Sequence, residues 1–150
     1  MKIKFPKMGM IALALLVWGG LAVAAQTRDA TLSKIRGEVL VRQDQQDWKL
    51  AQQGMVLHQG DEIKTSANAD AELLLDNGSV GNVKIAPKSN FKIGTMEMNA
   101  ATGEKTTLLK LAVGKVLVHA EKLKGNSKFE VATPTATTGV RGTLFEVSVD

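Results

Sequence analysis

The sequence predicts a single all-β domain behind a helical leader. Three observations point there. Beyond the first two dozen residues no segment sustains an apolar period of 3.6, so amphipathic helices are not expected. Apolar and polar residues alternate instead, which turns one face of an extended strand inward and the other to water. Clusters of Gly, Pro, Asn and Asp interrupt this alternation at short intervals, as turns between strands do.

The leader comes first. Lys2, Lys4 and Lys7 make a basic head, residues 8–21 are apolar, and Ala22-Val-Ala24 places small residues where a peptidase cuts. This is the pattern of a secretory signal peptide. Residues 1–24 are expected to be removed, after Ala24 or Ala25, leaving residues 25–150 as the domain. The apolar stretch is shorter than the ~20 residues of a membrane span, and no cysteine stands at the junction to carry a lipid. Membrane contact is therefore expected only transiently, through the signal peptide. The protein is expected in the periplasm or outside the cell.

Charge and cysteine content narrow the classes. The chain carries 19 Lys and Arg against 15 Asp and Glu, and without the three leader lysines the balance is 16 to 15. A nearly neutral domain lacks the broad basic field that nucleic acid requires, so no nucleic-acid partner is expected. With no cysteine there are no disulfides, and the apolar core alone must hold the domain.

Strands follow in order. Val39 and Val41 face one way, with Glu38 and Arg42 the other. Ala71, Leu73 and Leu75 alternate with Asp70, Glu72 and Asp76. Val83 and Ile85 alternate with Asn82 and Lys84, Phe91 and Ile93 flank Lys92, and Val116 and Val118 alternate with Lys115 and His119. Phe129 and Val131 alternate with Lys128 and Glu130, and Phe145, Val147 and Val149 with Glu146 and Ser148. Between them, Asp76-Asn-Gly-Ser79 reads as a hairpin turn. Gly60-Asp61, residues 86–90, residues 101–104 and residues 124–127 read as further turns. A faint echo links Gly37-Glu-Val-Leu-Val-Arg42 to Gly114-Lys-Val-Leu-Val-His119, as two stacked β-rich halves would produce.

Candidate chemistry is sparse. Cysteine is absent, no G-x-S-x-G motif occurs, and His58 and His119 read as surface histidines, so the residues of nucleophilic catalysis are missing. Asp61 and Glu62 are neighbours that project to opposite faces of a strand and read as solvated turn charges, not as a catalytic pair across a cleft. No phosphate loop, dinucleotide fingerprint or metal-ligand spacing appears. The expectation is a protein that is not an enzyme and takes no cofactor or metal.

Two features stand as binding candidates. Thr133, Pro134, Gly139, Val140, Arg141, Gly142 and Thr143 lie in a backbone-driven turn of small residues. Its N–H groups could form an anion nest with Arg141 beside it. The plainer reading is that Arg141 pairs with a nearby acid and pins the turn. Trp48 offers either a sugar-stacking platform or, by the plainer reading, a cap on the core edge beside Leu50 and Ala51.

The order of these pieces resembles a FecR-type domain. The resemblance rests on Gly37-Glu-Val-Leu-Val, Trp48-Lys-Leu-Ala, Gly60-Asp-Glu-Ile-Lys-Thr65, Ala71-Glu-Leu-Leu-Leu-Asp-Asn-Gly-Ser79, Leu111-Ala-Val-Gly-Lys-Val-Leu-Val118, and Thr133-Pro134 through Gly139-Val-Arg-Gly-Thr-Leu-Phe145. It implies stacked solenoid-like or sandwich-like strand layers, and a module that passes a signal through protein contact in the envelope of a Gram-negative bacterium. In regulators of this kind an N-terminal cytoplasmic segment holds a sigma factor. The basic, apolar N-terminus here reads as an export leader instead, so the expectation is a stand-alone exported domain. Its partner is an envelope or periplasmic protein of unknown identity, and its oligomeric state is open. The alternative function is an envelope glycan-binding module.

Overall fold

The computed structural model describes residues 25–150, so the signal-peptide reading of residues 1–24 lies outside the described residues. Thirteen strands follow one another: β1 (Ala25–Thr27), β2 (Ala30–Arg36), β3 (Val39–Arg42), β4 (Lys49–Leu50), β5 (Val56–Leu57), β6 (Glu62–Thr65), β7 (Asp70–Leu75), β8 (Gly81–Ile85), β9 (Asn90–Asn99), β10 (Lys105–Ala120), β11 (Lys128–Ala132), β12 (Thr137–Val140) and β13 (Leu144–Val149). One 3-10 turn, Asp76–Gly78, joins β7 to β8 at the place the Asp-Asn-Gly-Ser motif marks, with Asp76 and Asn77 at positive φ. The all-β reading holds throughout the described residues.

Every strand pair is antiparallel except β10 with β11. The organiser is β10, the longest strand. Its first half lies between β9 and β11, and its second half between β8 and β13. The register shifts between Leu111 and Val113, and Gly114 takes φ +100. The strand folds back at that point, and chain length requires it. Thr107 aligns through Phe129 with Val140, His119 aligns with Leu144, and only residues 141–143 connect Val140 to Leu144. Four residue steps reach ~14 Å, and the three strand spacings add ~14 Å, whereas Thr107 and His119 would stand ~40 Å apart in a straight strand. The sheet therefore curls, and both halves bury their inner faces in one apolar cluster. Val41, Ile63, Phe91, Ile93, Leu109 and Phe129 come from one half, and Leu32, Leu73, Leu75, Val83, Ile85, Val116 and Val118 from the other.

The corner is stapled by polar groups. Thr65 donates its hydroxyl to the carbonyl of Ala86 (2.6 Å) and accepts from the Ser89 amide (3.0 Å). Ser89 Oγ accepts from the Lys115 amide (3.0 Å). Gly114 stands against Ser89 so closely that a Cβ there would lie 2.5 Å from Ser89 Cα. Gly37, its counterpart in the echo, also has positive φ and would set a Cβ 2.6 Å from the Asn68 carbonyl oxygen. Both glycines allow one backbone to cross another, and this is the structural content of the echo.

A second polar cluster closes the opposite end. Arg28, just 6 % exposed, donates Nε to Asp76 (2.8 Å) and Nη1 to Thr107 Oγ1 (3.1 Å) and to the carbonyls of Glu97 and Thr106 (both 3.3 Å). Lys105 reaches the same Asp76 oxygen at 2.7 Å. One guanidinium thus ties the turn before β2, the 3-10 turn, β9 and β10 together.

Candidate functional site

Asp61 is 1 % exposed, which corrects its reading as a solvated turn charge. Its Oδ2 accepts from the His58 amide (2.9 Å) and from Gln43 Nε2 (3.3 Å), and Oδ1 accepts from the Asp44 amide (3.4 Å). The carboxylate is a bridge between the loop after β3 and the turn before β6. A buried charge is tolerated where several donors face it. His58 and His119 are both about half exposed, as read from the sequence, with His58 Nε2 3.3 Å from Asp29.

Glu62 points to the outer face, between Arg42 (2.5 Å) and Lys92 (3.4 Å). Burial opposes its ionisation, but hydrogen bonds from Arg42 and Lys92 outweigh it and hold the carboxyl below its ordinary value of 4.5. On the other half of the sheet Glu72 is held low chiefly by its hydrogen bond from Lys34, against an opposing burial effect, with Asn82 and Lys84 assisting. A carboxyl with a lowered folded-state pKa stabilises the fold above its unfolded-state pKa. That stability is lost as pH falls through the folded value. Urea unfolding midpoints are therefore expected to decline from about pH 5 to about pH 3, and Glu62→Gln should flatten that decline.

Trp48 does not join the core cluster. It is half-buried, and its ring carries Lys64 Nζ at 4.2 Å and Arg42 Cζ at 4.8 Å from the centroid. The core-edge expectation is corrected: cation–π contacts with the outer face of β3 and β6 hold the indole. The ring is engaged by two cations and is not a bare platform.

The stretch expected to be one turn is three elements. Residues 133–136 form the tip of a hairpin, where the Thr133 amide donates to the Ala136 carbonyl (2.7 Å) and the Ala136 amide to Thr133 Oγ1 (3.1 Å). Thr137–Val140 is strand β12, paired along β11. Only residues 141–143 then turn into β13. Pro134 sits at the hairpin tip, Gly139 pairs with Glu130 in the strand, and Val140 is buried at its end. Gly142 alone of the two glycines has positive φ, so the extended nest of successive N–H groups is not formed. Arg141 is exposed and enters no ion pair among the described residues, so no acid pins it.

All of these candidates except Pro134 and Gly142 line one cleft. A cavity of about 590 Å³ runs between β12 and β13, with Thr133, Gly139, Val140, Arg141, Thr143, Phe145 and Val147 along it. Strand β12 pairs only with β11, and β13 pairs only with β10. Two sheet edges therefore face one opening. The inward residues of β13 (Phe145, Val147 and Val149) pack on the core but remain half exposed, unlike their counterparts on inner strands.

A profile of the FecR protein family matches residues 61–150. The chain belongs to the FecR family. The match begins at Asp61, whose donors precede it, and includes the Thr65–Ser89 staple, the β10 corner and the whole β12–β13 cleft. The elements around Gly37 and Trp48, which also carry the sequence resemblance, precede the matched span, yet Val39 and Val41 lie in the same core. FecR is a regulatory and signalling family, not one known for catalysis. No curated protein matches this chain, and no solved structure does.

In this FecR-family chain the structure brings Thr133, Gly139, Val140, Arg141 and Thr143 together in one cleft. It sets Pro134 on the groove that holds Lys110, turns Gly142 toward Lys122, and leaves Trp48 beside Arg42 and Lys64. The cations around Trp48 escaped sequence reasoning. Arg42 and Lys92 were legible as polar-face residues, but only strand register shows that Glu62 lies between them.

Proposed function

We propose that this protein is an exported FecR module, built as two sandwich-like layers, that signals by taking an extended segment of a periplasmic or envelope protein onto the free edge of β13. The observation that carries this reading is the cleft. Unpaired strand edges are templates for another chain, and strand addition gives affinity through main-chain hydrogen bonds and specificity through alternate side-chain pockets. An added strand with alternating apolar residues would cover Phe145 and Val147 and place its remaining side chains near Arg141. The leader pattern of residues 1–24 supports export, and the regulatory character of the family supports signalling over catalysis.

A photo-reactive benzophenone side chain placed in living cells at Leu144, Glu146 or Ser148 tests this. The expected result is one discrete protein adduct from β13 and none from control positions on β2 such as Lys34 and Arg36. Absence of adducts from β13, or the same adducts from the controls, would overturn the reading. Phe145→Asp is expected to remove the adduct while the β-sheet circular dichroism persists.

A further inference from the structure

We propose that a second surface, the outer face of β3, β6, β9 and β10, is a docking strip for an acidic segment of a protein partner. The inference does not depend on strand addition, since its cations lie on other strands and only Thr133 borders both surfaces. Strand register sets Arg42 opposite Glu62, Glu62 opposite Lys92, and Lys92 opposite Lys110. The four form one row across four strands. A single carboxylate, Glu62, serves both Arg42 and Lys92. Lys110 is exposed and makes no ion pair among the described residues, and neither does Lys64 beside Glu62.

Like charges directly opposite each other destabilise a sheet, and Lys92 with Lys110 is such a pair. A domain that is otherwise nearly neutral concentrates four cations against one acid here, and an incoming anion would relieve their repulsion. A groove of about 590 Å³ follows the row from Arg42 past Lys110 to Thr133 and Pro134.

The geometry favours an extended polypeptide. From Arg42 to Lys110 is three strand spacings, ~14 Å, which about four extended residues cover while presenting two same-face carboxylates ~7 Å apart. A glycan would look for an uncovered aromatic face, whereas Trp48 is held by Arg42 and Lys64. The local charge is too narrow for the phosphate-by-phosphate contact of nucleic acid.

The test uses the purified protein and a fluorescently labelled six-residue peptide of alternating Glu and Ser, read by anisotropy at low ionic strength. Binding is expected, weakening steeply with salt. The double variant Lys92→Gln/Lys110→Gln should weaken it about tenfold or more, the loss of charge-assisted contacts, while Lys122→Gln should leave it unchanged. No binding, an unaffected double variant, or displacement by polygalacturonate or inorganic phosphate more readily than by unlabelled peptide would overturn the proposal. A second readout needs no ligand. Lys110→Glu is expected to raise the unfolding midpoint of the free protein and to abolish peptide binding, and a lowered midpoint would contradict the like-charge argument.

Discussion

Arg28→Met is expected to lower the stability of the domain by about 3 kcal/mol, because it removes several buried hydrogen bonds to charged and polar groups at once. The guanidinium satisfies Asp76, the Thr107 hydroxyl and two carbonyls at once, and only its Nη2 lacks a partner among the described residues. Methionine fills much of the same volume but returns none of those hydrogen bonds. Lys105 still reaches Asp76, so the acid keeps one counter-charge, while Thr107 and the carbonyls of Glu97 and Thr106 lose their hydrogen bonds from the guanidinium. Against a total stability of ~5–15 kcal/mol the loss would be visible in any denaturant titration. Arg28→Lys should fall between the two proteins, because an ammonium keeps the charge without the planar fork. A loss under about 1 kcal/mol for Arg28→Met would mean that the cluster is solvated and contributes as a surface pair does.

Gly114→Ala is the second large effect, expected at about 3 kcal/mol or more from backbone strain and overpacking together. The residue has φ +100, and the added methyl would meet the Ser89 backbone, which cannot rotate away as a flexible side chain would. The damage should centre on the corner where β10 changes partners, breaking the Ser89–Lys115 hydrogen bond. Gly139→Ala is the control: its φ is ordinary for an L-residue and nothing lies within 4 Å of where its methyl would stand. It should change stability by no more than a few tenths of a kcal/mol, as surface substitutions do. Comparable losses at both positions would remove the claim that the close approach at Gly114, and not glycine content, shapes the fold.

The β-class and most strand positions were legible because a half-buried strand writes its two faces into the sequence. Val83-Lys-Ile85 and Phe129-Glu-Val131 are clear cases. The full span of β10 was not legible. Leu108-Leu-Lys-Leu-Ala-Val-Gly114 loses its alternation where the strand bends and exchanges neighbours, so only Val116 and Val118 announced it. Strand β12 was hidden for another reason. Its Thr137-Thr-Gly139 has no apolar face, and main-chain pairing to β11 alone makes it a strand. Asp61 misled because a carboxylate after glycine looks like a solvated turn, while its donors on Gln43 and Asp44 are distant in sequence. Arg28 gave no local sign, since Asp76 and Thr107 come to it from far along the chain. The cleft residues were recognised as a group through their small, turn-forming character. Their assembly from two separate strand edges depends on the folding back of β10, which no local pattern encodes.

Amide hydrogen exchange on the free protein tests the central claim most directly. Amides of β10 in both halves should be among the slowest, because this strand has a hydrogen-bonded neighbour on each side along most of its length. In β13, alternate amides between Leu144 and Val149 should exchange far faster, since one edge of that strand faces the open cleft. Uniform protection along β13, matching that of β10, would show the edge already covered and would contradict the assignment of this cleft as the place where a partner strand is received.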